Sequence, residues 1–415
     1  MKLKLISLAI LAAGASTTAL ANGFALDEQS VSALGTSNAG RASNAQDASV
    51  VYNNPAAMSF FKDAEFTAAM SFIDASTDIR NASGGLNNAT GGATPGTNNG
   101  DPVPKTWVPA GYWMSGAHNG WAFGVGLYGS QGFKTNYESS FAGGLGGLKS
   151  SLAVTTLQPV LSYKITDRWS VAAGPTINRL DAVLTQGTGA PGTTAQLSGR
   201  DFGYGYTLAT YLRPTDSTTV GLVYRSKVTY KVNGFLNIAG PAATPVATAL
   251  GLPANSNPAQ TSATMPESLE LGITQKLTQR TALQLTAAWT RWSRLKSLDI
   301  YTYGVLANSQ QFGWKDSMAY AVGLTHQLTD KLQLRTGVAF DNTPVNPAFA
   351  SPRVPTGDRI VTSAGFGYRF NPKQSVDFSY SYAKEQKEHI VAPAAYNADF
   401  YNHANVVALQ FNQKF

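Results

Sequence analysis

Along most of this chain apolar residues alternate with polar or small ones, in stretches separated by connections that switch between tight and long. In one stretch Ile360, Thr362, Ala364, Phe366, Tyr368 and Phe370 share a face, with Arg359, Ser363, Gly365, Gly367 and Arg369 on the other. Leu332, Leu334, Val338 and Phe340 likewise alternate with Lys331, Gln333, Arg335 and Asp341. A third set, Val220, Leu222, Tyr224, Val228 and Tyr230, opposes Gly221, Arg225, Lys227, Thr229 and Lys231. Period two is a strand signal, and an apolar face opposite a polar one suits a wall with lipid on one side and a polar lumen on the other. Composition agrees: 13% of residues are charged, against roughly 25% in a soluble chain. Beyond the first 21 residues no run of about 20 apolar residues exists, so a helical membrane protein is excluded. A secreted β-helix or a soluble sandwich shares the Gly- and Asn-rich composition but not the ends and connections of this chain.

Six connections are tight: 118–120, 166–168, 214–218, 278–280, 329–331 and 371–374. Seven are long and rich in Gly, Pro, Asn and Ser: near 81–104, 134–151, 186–199, 233–262, 299–310, 342–358 and 386–402. They alternate, which predicts an all-β fold, a 14-stranded antiparallel transmembrane β-barrel over 63–415 with both ends on the tight-turn side. Lys2 and Lys4, the apolar stretch Leu5 to Ala13 and Ala19-Leu20-Ala21 have the layout of a signal peptide cleaved after Ala21. At the other end Val407, Leu409, Phe411 and Phe415 share one face, as a last barrel strand requires. A bacterial outer-membrane location follows as the expectation.

Residues 22–62 lack sustained alternation yet contain Phe24, Leu26, Val31, Leu34, Val50, Val51, Met58, Phe60 and Phe61. A solvated tail carries fewer apolar groups, so the segment is predicted to be a hatch, or plug, inside the barrel.

The segment NGFALDEQSVSALGTSNAGRASNAQDASVVYNNPAAMSFF (22–61) resembles the N-terminal hatch of FadL-type transporters (OMPP1/FadL/TodX). The likeness rests on the Gly-Phe opening, Leu34-Gly35, Asp47-Ala48 and the triplet Asn54-Pro55-Ala56. Residues 201–228, 290–298 and 335–370 resemble later parts of the same family, in the same order. The resemblance implies a plugged fourteen-stranded barrel that passes hydrophobic molecules: long-chain fatty acids first, alkane or aromatic hydrocarbons as the alternative. It also implies an anchoring role for Asn54, Pro55 and Ala56. A general porin is a weaker reading, since a plug obstructs water-filled diffusion.

Enzyme chemistry has little support. The sequence has no cysteine, which removes disulfides, thiolate zinc sites and cysteine nucleophiles. Gly124-Val125-Gly126-Leu127-Tyr128-Gly129 matches G-x-G-x-x-G, but no helical period follows it. The four histidines have neither metal-ligand spacing nor an adjacent nucleophile motif. No cofactor and no metal are expected. The net charge of +7 is dispersed, which argues against nucleic acid. With no oligomer signal, a monomer among outer-membrane lipid is expected.

Three sets of site residues follow. Phe141, Leu145, Leu148, Leu152, Val246, Leu250 and Leu252 lie in otherwise polar loops and are predicted to form an apolar landing surface, the stretch 243–252 as a short amphipathic helix. By parity Arg225, Lys227 and Lys231 face the lumen, and with Arg179 and Lys315 they are candidates for binding a carboxylate. The turn at Asn119 sets Pro109 opposite Gly129, in a strand that also carries Gly124, Gly126 and Gly132. Proline has no N–H to donate and strand glycines mark bends, so Pro109, Gly129 and Gly132 mark a weak seam. In the resembled family the third strand kinks inward, which implies a lateral exit there.

Overall fold

The computed structural model describes residues 23–253 and 256–415; the expected signal peptide lies outside them. Fourteen antiparallel strands close into one ring. They are β1 (Glu65–Ser83), β2 (Thr106–Met114), β3 (Trp121–Asn136), β4 (Lys149–Thr166), β5 (Trp169–Gly187) and β6 (Thr194–Leu212). Next come β7 (Thr218–Arg225 and Val228–Ala239), β8 (Ser256–Met265 and Ser268–Lys276), β9 (Thr281–Thr290 and Ser297–Thr302) and β10 (Val305–Gln311 and Ser317–Gln327). The ring ends with β11 (Leu332–Asp341), β12 (Arg359–Asn371), β13 (Gln374–Glu385 and Glu388–Ala392) and β14 (Tyr396–Lys414). β14 pairs with β1 from Glu65↔Lys414 upward, which removes every free edge.

The wall is apolar outside and polar inside. Leu212, Leu222, Leu271, Leu285, Val322, Leu334 and Leu409 are exposed, while Ser71, Gln158, Ser162, Gln284, Ser379 and Gln410 are buried. Trp113, Trp121, Phe123, Tyr163 and Trp169 are exposed near the tight-turn end, as an aromatic girdle is in a membrane barrel.

Two of the long connections expected from the sequence are tight hairpins. β9 meets β10 at Tyr303-Gly304, both with positive φ (52° and 78°), and β13 meets β14 through residues 393–395. The strands run on beyond the alternating region, with pairs such as Asp299↔Ser309 and Ile300↔Asn308. Pairing there continues after lipid contact, and the pattern it imposes, has ended. The stretch near 243–252 does contain a short helix, Ala243–Ala249.

Residues 23–61 lie within the ring; most are buried and none is exposed. They form short helices at Val31–Leu34 and Val50–Asn53 and a 3-10 helix at Pro55–Phe60. Their partners are inward side chains and strand backbone: Val31 N–H donates to Gln410 Oε1 (3.0 Å), Gly40 N–H to Thr286 Oγ1 (2.9 Å), and Ser37 bonds Ser363 (2.8 Å). One wall glycine is demanded by this fit, because a Cβ at Gly221 would lie 1.8 Å from the Ala42 carbonyl oxygen.

Candidate functional site

Above the N-terminal segment lies an apolar cavity of about 60 Å³. Strands β4 to β8 contribute Leu152, Leu180, Leu184, Leu197, Val232 and Met265, and Leu295, Leu298 and Phe312 close the far side. Phe24 reaches into it from the start of the described chain, stacked on Phe133 (5.0 Å between centroids) and edge-on to Trp292 (5.1 Å). Gly23 makes this possible. Its φ is +64°, and a Cβ there would lie 2.6 Å from both Trp292 and Trp314. Only glycine lets the backbone lie on those rings.

The cavity has one cation, Arg353, from the loop between β11 and β12. That loop folds inward: Tyr137 Oη donates to the Pro352 carbonyl (2.7 Å), and Asn402 Nδ2 donates to that of Pro355. Arg353 is buried, and its guanidinium meets only neutral acceptors: Ser150 Oγ (3.2 Å), Thr185 O (3.2 Å) and Gln186 Oε1 (2.8 Å). Its Nε–H has no acceptor, and no carboxylate pairs with it among the described residues. Burial pulls its pKa down to about 10, so it stays charged near neutral pH. A buried, unneutralised guanidinium beside an apolar hollow is costly unless an anion arrives.

The other lumenal cations are neutralised. Arg41 grips Glu270 through Nε (3.1 Å) and Nη2 (2.7 Å). Arg225 shares that carboxylate at 3.6 Å, donates to the Tyr52 carbonyl (2.7 Å) and lies over the Tyr52 ring. Arg359 pairs with Asp27 (2.7 Å) and Asp341 (3.0 Å). These residues bind the N-terminal segment to the wall, and Asp27, Arg41, Tyr52, Arg225 and Glu270 border a second cavity of about 120 Å³ with mixed polar and apolar lining.

Of the cations proposed from parity, only Arg225 faces the lumen. The break at Ser226-Lys227 reverses the faces of β7, so Tyr230 and Val232 are buried while Lys227 and Lys231 are exposed outside. Arg179 is also exposed and pairs with Asp181 (3.0 Å). Lys315 is exposed between the two segments of β10 and lines neither cavity.

The loop residues divide as well. Phe141 and Leu148 are buried, Phe141 stacked on Tyr137 at 4.0 Å and edge-on to Tyr396, so they tie loops together rather than offer a surface. Leu145 is half-buried, and Leu152 lies within β4 at the apolar cavity. Val246 and Leu252 are half-buried, whereas Leu250 is 55% exposed at the end of its helix.

Asn54 caps the 3-10 helix, its Oδ1 accepting from Ala56 N–H (3.1 Å), and its Nδ2 donates to Ala42 O (2.7 Å) and Thr210 O (3.0 Å). Pro55 occupies the first turn, and the Ala56 carbonyl accepts from Ser162 (3.1 Å) and Ser170 (2.6 Å). The β2–β3 ladder stops at Ala110↔Tyr128, so Pro109 and Gly129 are the first unpaired residues. Beyond them the N-terminal segment borders β3 instead: Leu26 N–H donates to Ser130 O (3.2 Å) and Gly132 N–H to Phe24 O (2.8 Å).

A closed fourteen-stranded ring with an apolar outer face and a filled polar lumen defines a transmembrane barrel of the outer-membrane class. Residues 12–415 match the family of outer membrane transport proteins OMPP1/FadL/TodX, and the chain belongs to that family. It is 27% identical to the long-chain fatty acid transport protein of Escherichia coli O6:H1, over 99% of this chain and 98% of that one. A Pseudomonas aeruginosa FadL homologue shares the fold with a TM-score of 0.86 at 24% identity, covering 95% of this chain and all of the other. The Pseudomonas putida toluene transporter TodX superposes with a TM-score of 0.66 at 16% identity, covering 93% and 98%. The family is one of outer-membrane transport proteins, not enzymes.

Proposed function

We propose that this protein takes up long-chain fatty acids across the outer membrane. The observation that carries the reading is the apolar cavity with a buried, unneutralised Arg353 at its border. An alkyl chain replaces the Phe24 contacts there, and a carboxylate supplies the anion that Arg353 lacks. The relative named a long-chain fatty acid transport protein supports the same class. A hydrocarbon needs no cation, so Arg353 favours the acid over toluene-like cargo.

In this reading a signal peptide delivers the chain and residues 22–62 are the hatch, held by Asn54, Pro55 and Ala56. Leu250 and its helix give cargo a first apolar contact outside. Release is lateral, through the seam at Pro109, Gly129 and Gly132, because an apolar molecule gains nothing by entering water.

Arg353→Met tests the reading. A charged hydrogen bond contributes about 1.5–3 kcal/mol, so oleate affinity should fall at least about tenfold. Binding of an alkane of equal length should hold. Equal losses for both ligands would reject Arg353 as the head-group partner.

A further inference from the structure

The ladder of the wall is also broken between β6 and β7. β6 pairs with β5 along its whole length, and the upper and lower parts of β7 pair with β8. Yet β6 and β7 are unpaired with each other between Arg200↔Asn233 and Thr207↔Arg225. Tyr206 and Ser226 close one end, Tyr206 N–H donating to Ser226 Oγ (2.8 Å) and Ser226 N–H to Tyr206 O (2.9 Å). At the other, Lys231 N–H donates to Asp201 Oδ2 (2.7 Å) instead of to a strand carbonyl. The register shifts by one residue across the gap, so a regular ladder cannot run through it.

Two side chains stop the gap from inside, laid on bare backbone. A Cβ at Gly203 would lie 2.4 Å from Val228 Cγ1 and 2.8 Å from the Tyr230 ring, and one at Gly205 2.9 Å from Val228 Cγ2. Both mouths have matching chemistry. The second cavity is lined by Arg225, Val228 and Tyr230 and also by Tyr206, which is 49% exposed on the outer face, so this one residue borders both the lumenal hollow and the lipid side. Val232 and Gly199, just beyond the gap, line the apolar cavity. Outside, Phe202 and Tyr204 (72%) are exposed, with the cations Arg179, Lys227 and Lys231 around them. Exposed rings beside cations suit a chain lying in the outer leaflet with an anionic head at the interface.

We propose that the β6–β7 gap is a lateral port, gated by Tyr230 and Val228, through which carboxylate-headed amphiphiles exchange between the outer leaflet and the cavities. It rests on the fatty-acid reading above. Opening needs side-chain rotation rather than the breaking of a ladder, and the concentration gradient sets the direction of flow.

The chain has no native cysteine, so the gap can be tied shut. A Cβ at Gly205 lies 2.8 Å from Ser226 Oγ, close to the distance of about 3 Å between a Cβ and the partner sulfur of a disulfide. The full-length protein would be placed in vesicles containing a long-chain fatty acid with a diazirine near its chain end. Irradiation and mass spectrometry then map adducts on wild type, on Gly205→Cys/Ser226→Cys oxidised and reduced, and on Tyr230→Ala. Wild type should carry adducts on Tyr204, Val228 and Tyr230 and within the apolar cavity. Oxidation should lower those on Val228 and Tyr230 at least fivefold, reversibly, and Tyr230→Ala should raise cavity labelling severalfold with heat-modifiable mobility unchanged. Labelling of Val228 and Tyr230 that ignores a confirmed crosslink would overturn the port while leaving uptake intact. Absence of cavity labelling in every variant would sink both the port and the uptake reading.

Discussion

Among the places where the barrel ladder is interrupted are β2–β3 and β6–β7, and these two gaps are closed by different means. At β2–β3 residues 24–26 act as a substitute strand, with Ala25 bridged to Gln131 and backbone bonds to Ser130 and Gly132. At β6–β7 no substitute strand is present: Val228 and Tyr230 rest on Gly203, and hydrogen bonds from Lys231 to Asp201 and between Tyr206 and Ser226 hold only the two ends. Opening the first gap breaks backbone hydrogen bonds away from bulk water, at roughly 1–3 kcal/mol for each group left unsatisfied. It also withdraws Phe24 from the apolar cavity, since Phe24 is part of the same short strand. A ligand that displaced Phe24 would therefore also loosen the wall at the first gap. The second has no such link, and its barrier is a rotamer change. Two openings of similar position in the sheet can thus differ in whether cargo controls them.

Pinning the first gap shut should have the largest effect. Ala25 and Gln131 form a non-hydrogen-bonded antiparallel pair, a geometry with Cα atoms about 4.5 Å apart that a disulfide can span. Oxidised Ala25→Cys/Gln131→Cys should lose fatty-acid uptake at least about tenfold if release follows the first gap, since transport then requires breaking several kcal/mol of pairing; reductant should restore it. Full uptake with the crosslink verified would show that residues 24–26 need not move.

A smaller effect is expected from Gly23→Ala, which adds a Cβ against Trp292 and Trp314 at positive φ. The left-handed conformation alone costs roughly 1–2 kcal/mol for a non-glycine residue. Residues 24–26 should detach more often, so limited proteolysis near the N-terminus should quicken severalfold while barrel melting stays put. Unchanged protection would mean that the rings give way and Gly23 is not required. The smallest effect belongs to Ala110→Cys/Tyr128→Cys. These residues are already the last ladder pair, so oxidation should change uptake less than about twofold relative to the reduced double mutant, a margin of about 0.4 kcal/mol. A large loss there would place the moving part of the seam lower than the unpaired stretch.

Parity in β11 and β12 could be read from the residues alone, because lipid on one side and a polar lumen on the other impose alternation at each step. The same reading fails in β7. One extra residue near Ser226 reverses the faces, moving Lys227 and Lys231 outside while Arg225 stays in. No local signal marks that insertion, since Thr, Lys and Tyr are tolerated on either face near an interface. Arg353 was out of reach for another reason. It belongs to a loop without periodicity, and only the folding of that loop into the lumen, under Tyr137 and Asn402, makes it a cavity residue. Phe141 and Leu148 were correctly seen as apolar loop residues, but apolar character does not say whether a loop covers itself.

The sequence by itself determined a membrane barrel, its strand number and the register that sets Pro109 opposite Gly129. Alternation, turn spacing and the register of one hairpin are local quantities, set by solvent on two sides and by turn length. The buried character of residues 23–61 was also present in their composition. Only the tertiary structure decided which cations meet the cavity, that Gly23 lies on Trp292 and Trp314, and that β6 and β7 part between Arg200 and Thr207. The first two arise where segments hundreds of positions apart meet inside a closed ring, and such a contact leaves no period in either segment; the third arises from the one-residue shift in β7, which no local signal marks.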